Sequence, residues 1–355
     1  MKSSETKRSS WPNNFLSTHP PMQPVKFLIL RFSSIGDIVL TTPVIRCLKE
    51  QVEHAEIHYF TKPEYKEILE DNPYIDKIHL LKPDLGAQIQ ELKHEFFDYI
   101  IDLHKNIRTR RIISGLKVIS FSFDKMNLKK WYYVNFKVNK LPDKHIVDRY
   151  LEAVDIFDVE NDGKGLDYFI PPRDELDLKQ FPEPFASGYV GFVIGAKHHT
   201  KKMPPDKIAS VISKMHYPVM LLGGKEDREA GDAIRQSSDA PVYNACGDFS
   251  INQSASLVRQ ARLIITHDTG LMHVAAAFRQ KVISVWGNTV PEFGMYPYQP
   301  HPDSALFEVR GLSCRPCSKL GYPKCPKKHF RCIRDISDEA IAAKARSLGQ
   351  IPNNK

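Results

Sequence analysis

At 355 residues, with 42% hydrophobic and 26% charged side chains, the chain has the composition of a globular protein of about two domains. Its net charge of +8 suits an anionic partner, whether nucleotide, phospholipid surface or nucleic acid, without choosing among them. No run approaches the roughly 20 apolar residues of a membrane span and no charged-then-apolar leader opens the sequence, so a cytoplasmic address is expected.

Residues 1–24, rich in Ser, Asn, Pro and Lys without periodicity, read as a disordered tail. Strands and helices then alternate. VKFLILRF predicts a buried strand, because a short apolar run ending at a glycine turn suits a parallel sheet covered on both faces. PVIRCLKEQV predicts a helix with Thr42 as N-cap and Pro43 in its first turn. Pro43 argues against a helix running unbroken from Asp37, which places Asp37 in the connecting loop or an irregular first turn. AEIHYFT, PEYKEILED and DKIHLL read as strand, helix and strand; a helix over 86–96 and the strand FDYIIDLH follow. Residues 160–186, dense in Pro, Asp and Gly, break the rhythm and read as an interdomain linker.

Alternation restarts with SGYVGFVIGA as a strand and PDKIASVISKM as a helix, then YPVMLLGG, KEDREAGDAIRQ, APVYNAC and INQSASLVRQA in the same order. RLIITHD is a further strand, GLMHVAAAF a helix, QKVISVWG a strand and SDEAIAAKARSLG a terminal helix. Two doubly wound α/β halves are expected, over 25–172 and 173–335, with a terminal helix and tail over 336–355. A ligand cleft between them is the natural site.

The most specific stretch is THDTGLMHVAAAF. A strand leads through Asp268, Thr269 and Gly270 into a helix whose free N–H groups and dipole favour an anion. Gly270 admits a phosphate to the backbone, Thr269 adds a hydroxyl and His273 lies one turn on. Asp268 would repel a phosphate, so capping the helix or accepting hydrogen bonds from sugar hydroxyls suits it better. The bland alternative is an ordinary N-capped helix with a buried histidine.

Three stretches together, FLILRFSSIGDIVLTTPVIRCLK, GGKEDREAG and DTGLMHVAAA, resemble the glycosyltransferase family 9 heptosyltransferases, in order and over residues 25–345. The resemblance implies a GT-B architecture: two Rossmann-like domains facing across a central cleft, the first binding acceptor and the second nucleotide-sugar. It implies transfer of heptose from ADP-heptose to the lipopolysaccharide inner core, with inversion, without a metal and as a monomer. Asp37, after Gly36, takes the place of the general base, with Ser34 and Gly36 on the acceptor side. Thr200 and Lys201, in TKKMPPDK, take the places that contact the donor phosphates, although Met203 stands where the family has Trp and leaves the Lys201/Lys202 register open. Asp227 matches an acid facing the ribose, and Asp268, Thr269, Gly270 and His273 match the donor motif. Asn106 and Arg108 are the acceptor-side choices, and the helix HIVDRYLEAV brings His145 and Arg149 towards the cleft.

The physics fits these roles. Charge developing on a departing diphosphate can be stabilised by a cation and a helix terminus, and no Asp-x-Asp pair is arranged for a divalent ion. Basic residues crowd 104–117 and 125–145, which suits an anionic glycolipid acceptor at the inner membrane surface; nucleic acid is disfavoured because no helix-turn-helix, zinc-finger or RNP pattern is present. A G-x-G-x-x-G follows no strand, which argues against a dinucleotide redox enzyme. Cys314, Cys317, Cys325 and Cys332 form C-x2-C-x7-C-x6-C, open to a structural zinc ion or to a reduced loop, with disulfides least suited to the expected compartment.

Overall fold

Five parallel strands and six helices build the first half of the computed structural model, which describes residues 23–350. The expected tail thus falls outside the described residues except at its last two positions. In chain order these elements are β1 (Val25–Leu30), α1 (Ile35–Val39), α2 (Thr42–Gln51), β2 (Ala55–Thr61), β3 (Lys77–Leu80), α3 (Leu85–Lys93), β4 (Tyr99–Asp102), α4 (Ile107–Leu116), β5 (Ile119–Ser122), α5 (Asn127–Phe136) and α6 (Ile146–Leu151). The strands lie in the order β3-β2-β1-β4-β5, all parallel. The second half follows with β6 (Val190–Val193), α7 (Pro205–Met215), β7 (Val219–Leu222), α8 (Arg228–Gln236), β8 (Val242–Asn244), α9 (Ile251–Gln260), β9 (Leu263–His267), α10 (Gly270–Ala277), β10 (Val282–Trp286), β11 (Ala305–Glu308), α11 (Arg331–Arg334) and α12 (Asp338–Gly349). Its sheet runs β11-β10-β9-β6-β7-β8, again all parallel.

Each sheet reverses its winding once, between β1 and β4 in the first and between β6 and β9 in the second. Ligands of open parallel sheets settle beyond the strand ends at such points. The loops that leave these four strands carry Ser34, Asn106, Thr200 and Asp268, so topology alone gathers most of the expected site.

Local chemistry explains where elements differ from expectation. The break before Pro43 is real: α1 ends after five residues at Leu40, and α2 starts anew. Its N-cap is Thr41 rather than Thr42, whose hydroxyl instead donates back to the Val39 carbonyl at 2.8 Å. The helix expected over PEYKEILED is only a 3-10 turn, Pro63–Ile68. Residues 160–187 carry short 3-10 turns and no strand or α-helix, as their Pro, Asp and Gly content implies.

Packing fuses the halves. One apolar cluster runs from Ile38, Leu40 and Tyr150 of the first half into Leu271, Met272 and Val274 of the second. The connecting segment is pinned by Arg46 of α2, which is 1% exposed. Its guanidinium pairs with Asp162 at 2.7 Å, with Asp167, and with the Gly165 carbonyl at 2.9 Å. The hydrogen bond from Arg46 holds the Asp162 carboxyl down at about 2. Arg46→Ala is expected to cost about 3–5 kcal/mol, because it strands acids in a semi-buried site. An Asp held below its unfolded pKa stabilises the fold above that value and stops doing so as pH falls through the native one. The Asp162 share therefore fades only between about pH 4 and pH 2, and urea denaturation of both proteins across that window checks it. Among the described residues, no helix is long and apolar enough to cross a membrane.

Candidate active site

The two switch points meet through α1 and α10, and they meet at glycines. A Cβ on Gly36 would lie 2.5 Å from His273 Cδ2 and 3.2 Å from Gly270 Cα; one on Gly270 would lie 2.8 Å from Ile35 Cβ. A side chain at either position would require its neighbours to shift.

Asp37 is the third residue of α1, a short regular helix of its own rather than the loop or irregular turn expected. Its Oδ1 lies 2.6 Å from Arg31 Nη2, and its Oδ2 accepts from the Ser34 backbone N–H and hydroxyl at 3.1 and 2.7 Å. The Ser34 hydroxyl is thus spent on orienting Asp37. Burial pushes the carboxyl up, but Arg31, the Ser34 hydrogen bonds and His273 outweigh it and hold it below the usual carboxylate range. The side chain is still 24% exposed. Arg31 is fixed in turn by the Leu103 carbonyl at 2.5 Å, the Tyr150 hydroxyl at 2.9 Å and the Ser33 carbonyl at 2.8 Å. Sequence reasoning missed Arg31, although a charged residue ending a buried apolar strand is a visible signal.

On the opposite side Thr269, not Asp268, is the N-cap of α10, and its hydroxyl makes no capping bond. The amide donors of this first turn and the Thr269 hydroxyl thus form a ready anion cradle. Asp268 is engaged elsewhere, its Oδ2 accepting from Lys201 Nζ at 2.5 Å and from the Thr289 hydroxyl at 3.0 Å. Lys202 pairs with Asp227 instead, so each lysine holds one of the two acids on this side. Asp227 is buried and accepts from the Gly224 N–H at 3.0 Å. Thr200 is buried, its hydroxyl exchanging hydrogen bonds with the backbone N–H and carbonyl of Tyr322 at 2.8 and 3.2 Å; it holds the 198–202 turn in place. His273 is buried with Nδ1 lacking a protein partner, and burial lowers it to about 4, so it is neutral at physiological pH.

The first-half side of the site is strongly cationic. Lys130 of α5 sits above the Phe293 ring at 5.8 Å, and burial, with Arg149 adding to it, lowers its pKa to about 8. Arg149 and His145 both reach the second half as their helix motif suggests, Arg149 Nη2 donating to the Phe293 carbonyl at 3.0 Å and His145 Nε2 to the Tyr296 carbonyl at 2.8 Å. Asn106 is the N-cap of α4, its Oδ1 accepting from the Thr109 N–H at 2.9 Å. The Arg108 guanidinium lies over Phe32 at 5.5 Å, and Arg108 lines a cavity of about 540 Å³ with Lys62, Lys82 and Arg111.

The four late cysteines lie near enough to influence one another's titration, although no three of their sulfurs lie within 4.8 Å of each other. Cys314 Sγ lies 3.8 Å from His329 Nε2, Cys317 Sγ donates to the Cys314 carbonyl at 3.0 Å, and Cys332 is buried in the apolar layer beside Ile333. Burial raises the Cys317 thiol to about 11 and Cys332 to about 12. Among the described residues, the trio of ligand-type atoms that does converge, within 4.8 Å, is His58, His79 and Glu95. Each already has a protein partner: His58 bonds His79 at 2.9 Å and Glu56 at 2.7 Å, and Glu95 pairs with Lys77 at 2.6 Å.

Known proteins align with this arrangement. The sequence profile of glycosyltransferase family 9 (heptosyltransferase) matches residues 86–320. Lipooligosaccharide heptosyltransferase 2 of Haemophilus influenzae is 24% identical over 294 residues, covering 76% of this chain and 85% of that protein. The crystal structure of a family 9 glycosyltransferase from Veillonella parvula superposes with a TM-score of 0.71 at 22% identity, covering 92% of this chain and 98% of that one. The Escherichia coli ADP-heptose lps heptosyltransferase II superposes with a TM-score of 0.70 at 18% identity and the same coverage. These neighbours share the two-domain α/β fold read from the sequence. With the profile spanning about two thirds of its length, the chain belongs to glycosyltransferase family 9, the heptosyltransferase family.

Proposed function

We propose that this glycosyltransferase moves heptose from ADP-heptose to a sugar hydroxyl of the lipopolysaccharide inner core, at the cytoplasmic face of the inner membrane, as a monomer, with inversion and without a metal ion. The observation that carries the reading is the juxtaposition of the Asp37 carboxylate with the free N-terminus of α10, one from each half. The donor diphosphate would lie on the α10 amides, the Thr269 hydroxyl and Lys201; a lysine has three N–H donors, and Asp268 takes only part of them. Asp227 would accept from the ribose.

In the single displacement the acceptor oxygen bonds to the anomeric carbon as the bond from that carbon to the phosphate oxygen breaks. The electron pair leaves on ADP, where Lys201 and the helix terminus stabilise it. The hydroxyl proton passes to Asp37. Its lowered pKa makes Asp37 a weak base, so transfer comes late, once bonding to the anomeric carbon has made the hydroxyl acidic; placement does the rest. One base and no covalent intermediate give inversion.

The test is a thermal-shift screen of ADP-, UDP- and GDP-linked sugars, followed by transfer to a purified core acceptor with and without EDTA. Stabilisation by ADP-heptose, EDTA-insensitive transfer and an inverted anomeric signal in the product NMR spectrum are expected. Stabilisation by a UDP- or GDP-sugar alone would reassign the donor.

A further inference from the structure

The positive charge of the chain is not spread over it. Residues 104–145 contain eleven Lys and Arg against two Asp, a net +9, whereas the whole chain carries +8; everything else together is close to neutral. That segment includes α4, β5 and α5. Within it α5 buries no residue at all, yet its sequence is NLKKWYYVNF.

The two faces of α5 differ. Lys130 and Tyr133 pack on Phe293, the Tyr133 and Phe293 rings 6.0 Å apart, while Lys137 Nζ donates to the Pro316 carbonyl at 2.7 Å. This face ties the helix to the second half. Leu128, Trp131, Tyr132 and Phe136 follow the three- and four-residue spacing of the other face. There Leu128 is 77%, Trp131 48% and Phe136 56% exposed. Their rings touch chiefly each other, with centroids 5.7 Å apart for Trp131–Phe136 and 4.8 Å for Tyr132–Phe136, and Lys140 Nζ stands 4.7 Å above Tyr132. Ile107, which opens α4, is 78% exposed as well.

We propose that the outer face of α5, with the lysines of that helix and of the segment after it, is a docking surface for a bilayer rich in anionic phospholipids. The composition is that of an interfacial element: indole and phenol rings at headgroup depth, leucine and phenylalanine below them, and cations level with the phosphates. A second copy packing this same face against itself is a poor occupant, since two faces of this charge repel. The surface extends the reading of a lipid-anchored acceptor, because Lys130 on the inner face of the same helix is among the cations whose titration Asp37 influences. Docking through α5 would hold the acceptor side of the cleft against the membrane.

The test needs no turnover, so it stands or falls apart from the activity. Full-length protein is sedimented with vesicles of phosphatidylcholine alone and of phosphatidylcholine with phosphatidylglycerol, at low and high salt. Binding to the anionic vesicles only, weakened by salt, and a blue shift of tryptophan emission that Trp131→Ser abolishes are expected. Leu128→Ser combined with Trp131→Ser should reduce partitioning at least tenfold, and Lys129→Glu or Lys140→Glu by about fivefold or more each. Neither aromatic nor lysine changes should alter thermal stabilisation by the donor. Equal binding to both vesicle types, binding unaffected by the α5 variants, loss of self-association rather than of vesicle binding in those variants, or displacement from vesicles by single-stranded oligonucleotide at stoichiometric concentration would each overturn the proposal.

Discussion

Asp37→Ala is expected to lower transfer by about 10²–10⁴-fold, the range for losing a positioned general base, while ADP-heptose affinity stays nearly unchanged. The separation follows from placement. The carboxylate belongs to the first half and is held by Arg31 and Ser34, whereas the donor cradle belongs to the second. Isothermal titration with donor and initial rates with acceptor measure the two effects apart. The same geometry fixes the pH profile. Because Arg31 and the Ser34 hydrogen bonds win over burial, Asp37 remains ionised as pH falls, and the acid limb lies below the ordinary carboxylate value of about 3.9. Arg31→Gln removes the larger favourable influence and should move that limb upward while lowering the plateau. Collapse of donor binding in Asp37→Ala, or an acid limb near the ordinary histidine value, would transfer the role of base elsewhere.

Lys201→Ala should be the most damaging change on the donor side. Removing one preorganised charge from a leaving group costs about 10²–10³-fold in rate. Here a second penalty is expected, since Asp268 would be left beside the phosphates with its counter-charge gone. Donor affinity and transfer should therefore both fall. Lys202→Ala, whose partner is Asp227, the proposed ribose acceptor, should act mainly on donor affinity. Measuring Kd and kcat for both variants distinguishes them; a larger rate loss for Lys202→Ala would exchange their assignments.

Much of this arrangement was legible in the residues themselves. Apolar runs such as FLIL and LIIT are so nearly continuous that only strands buried on both faces accommodate them, and their alternation with helices forces parallel pairing. Pro43 announced the break that leaves Asp37 on a turn of its own. What escaped was tertiary in origin. β5 and α5 carry little burial of their own, so neither has a strong periodic signature, and α5 is held largely through Phe293 and Pro316. The pairing of Asp268 with Lys201 rather than with the helix start rests on a residue 67 positions away in the chain. Equally, the spacing of the late cysteines left zinc and a reduced loop open, and burial of Cys332 in the apolar layer that α11 shares with α7 and α12 is a tertiary feature the spacing does not carry.

The glycine-to-glycine seam at residues 36 and 270 has a kinetic implication. With no side chain between the lobes at this seam, release of ADP on the proposed reading would require the two lobes to part. Departure of the spent nucleotide then shares a clock with that motion, and the pace of the whole cycle can be set by large-scale diffusion rather than by making or breaking a bond.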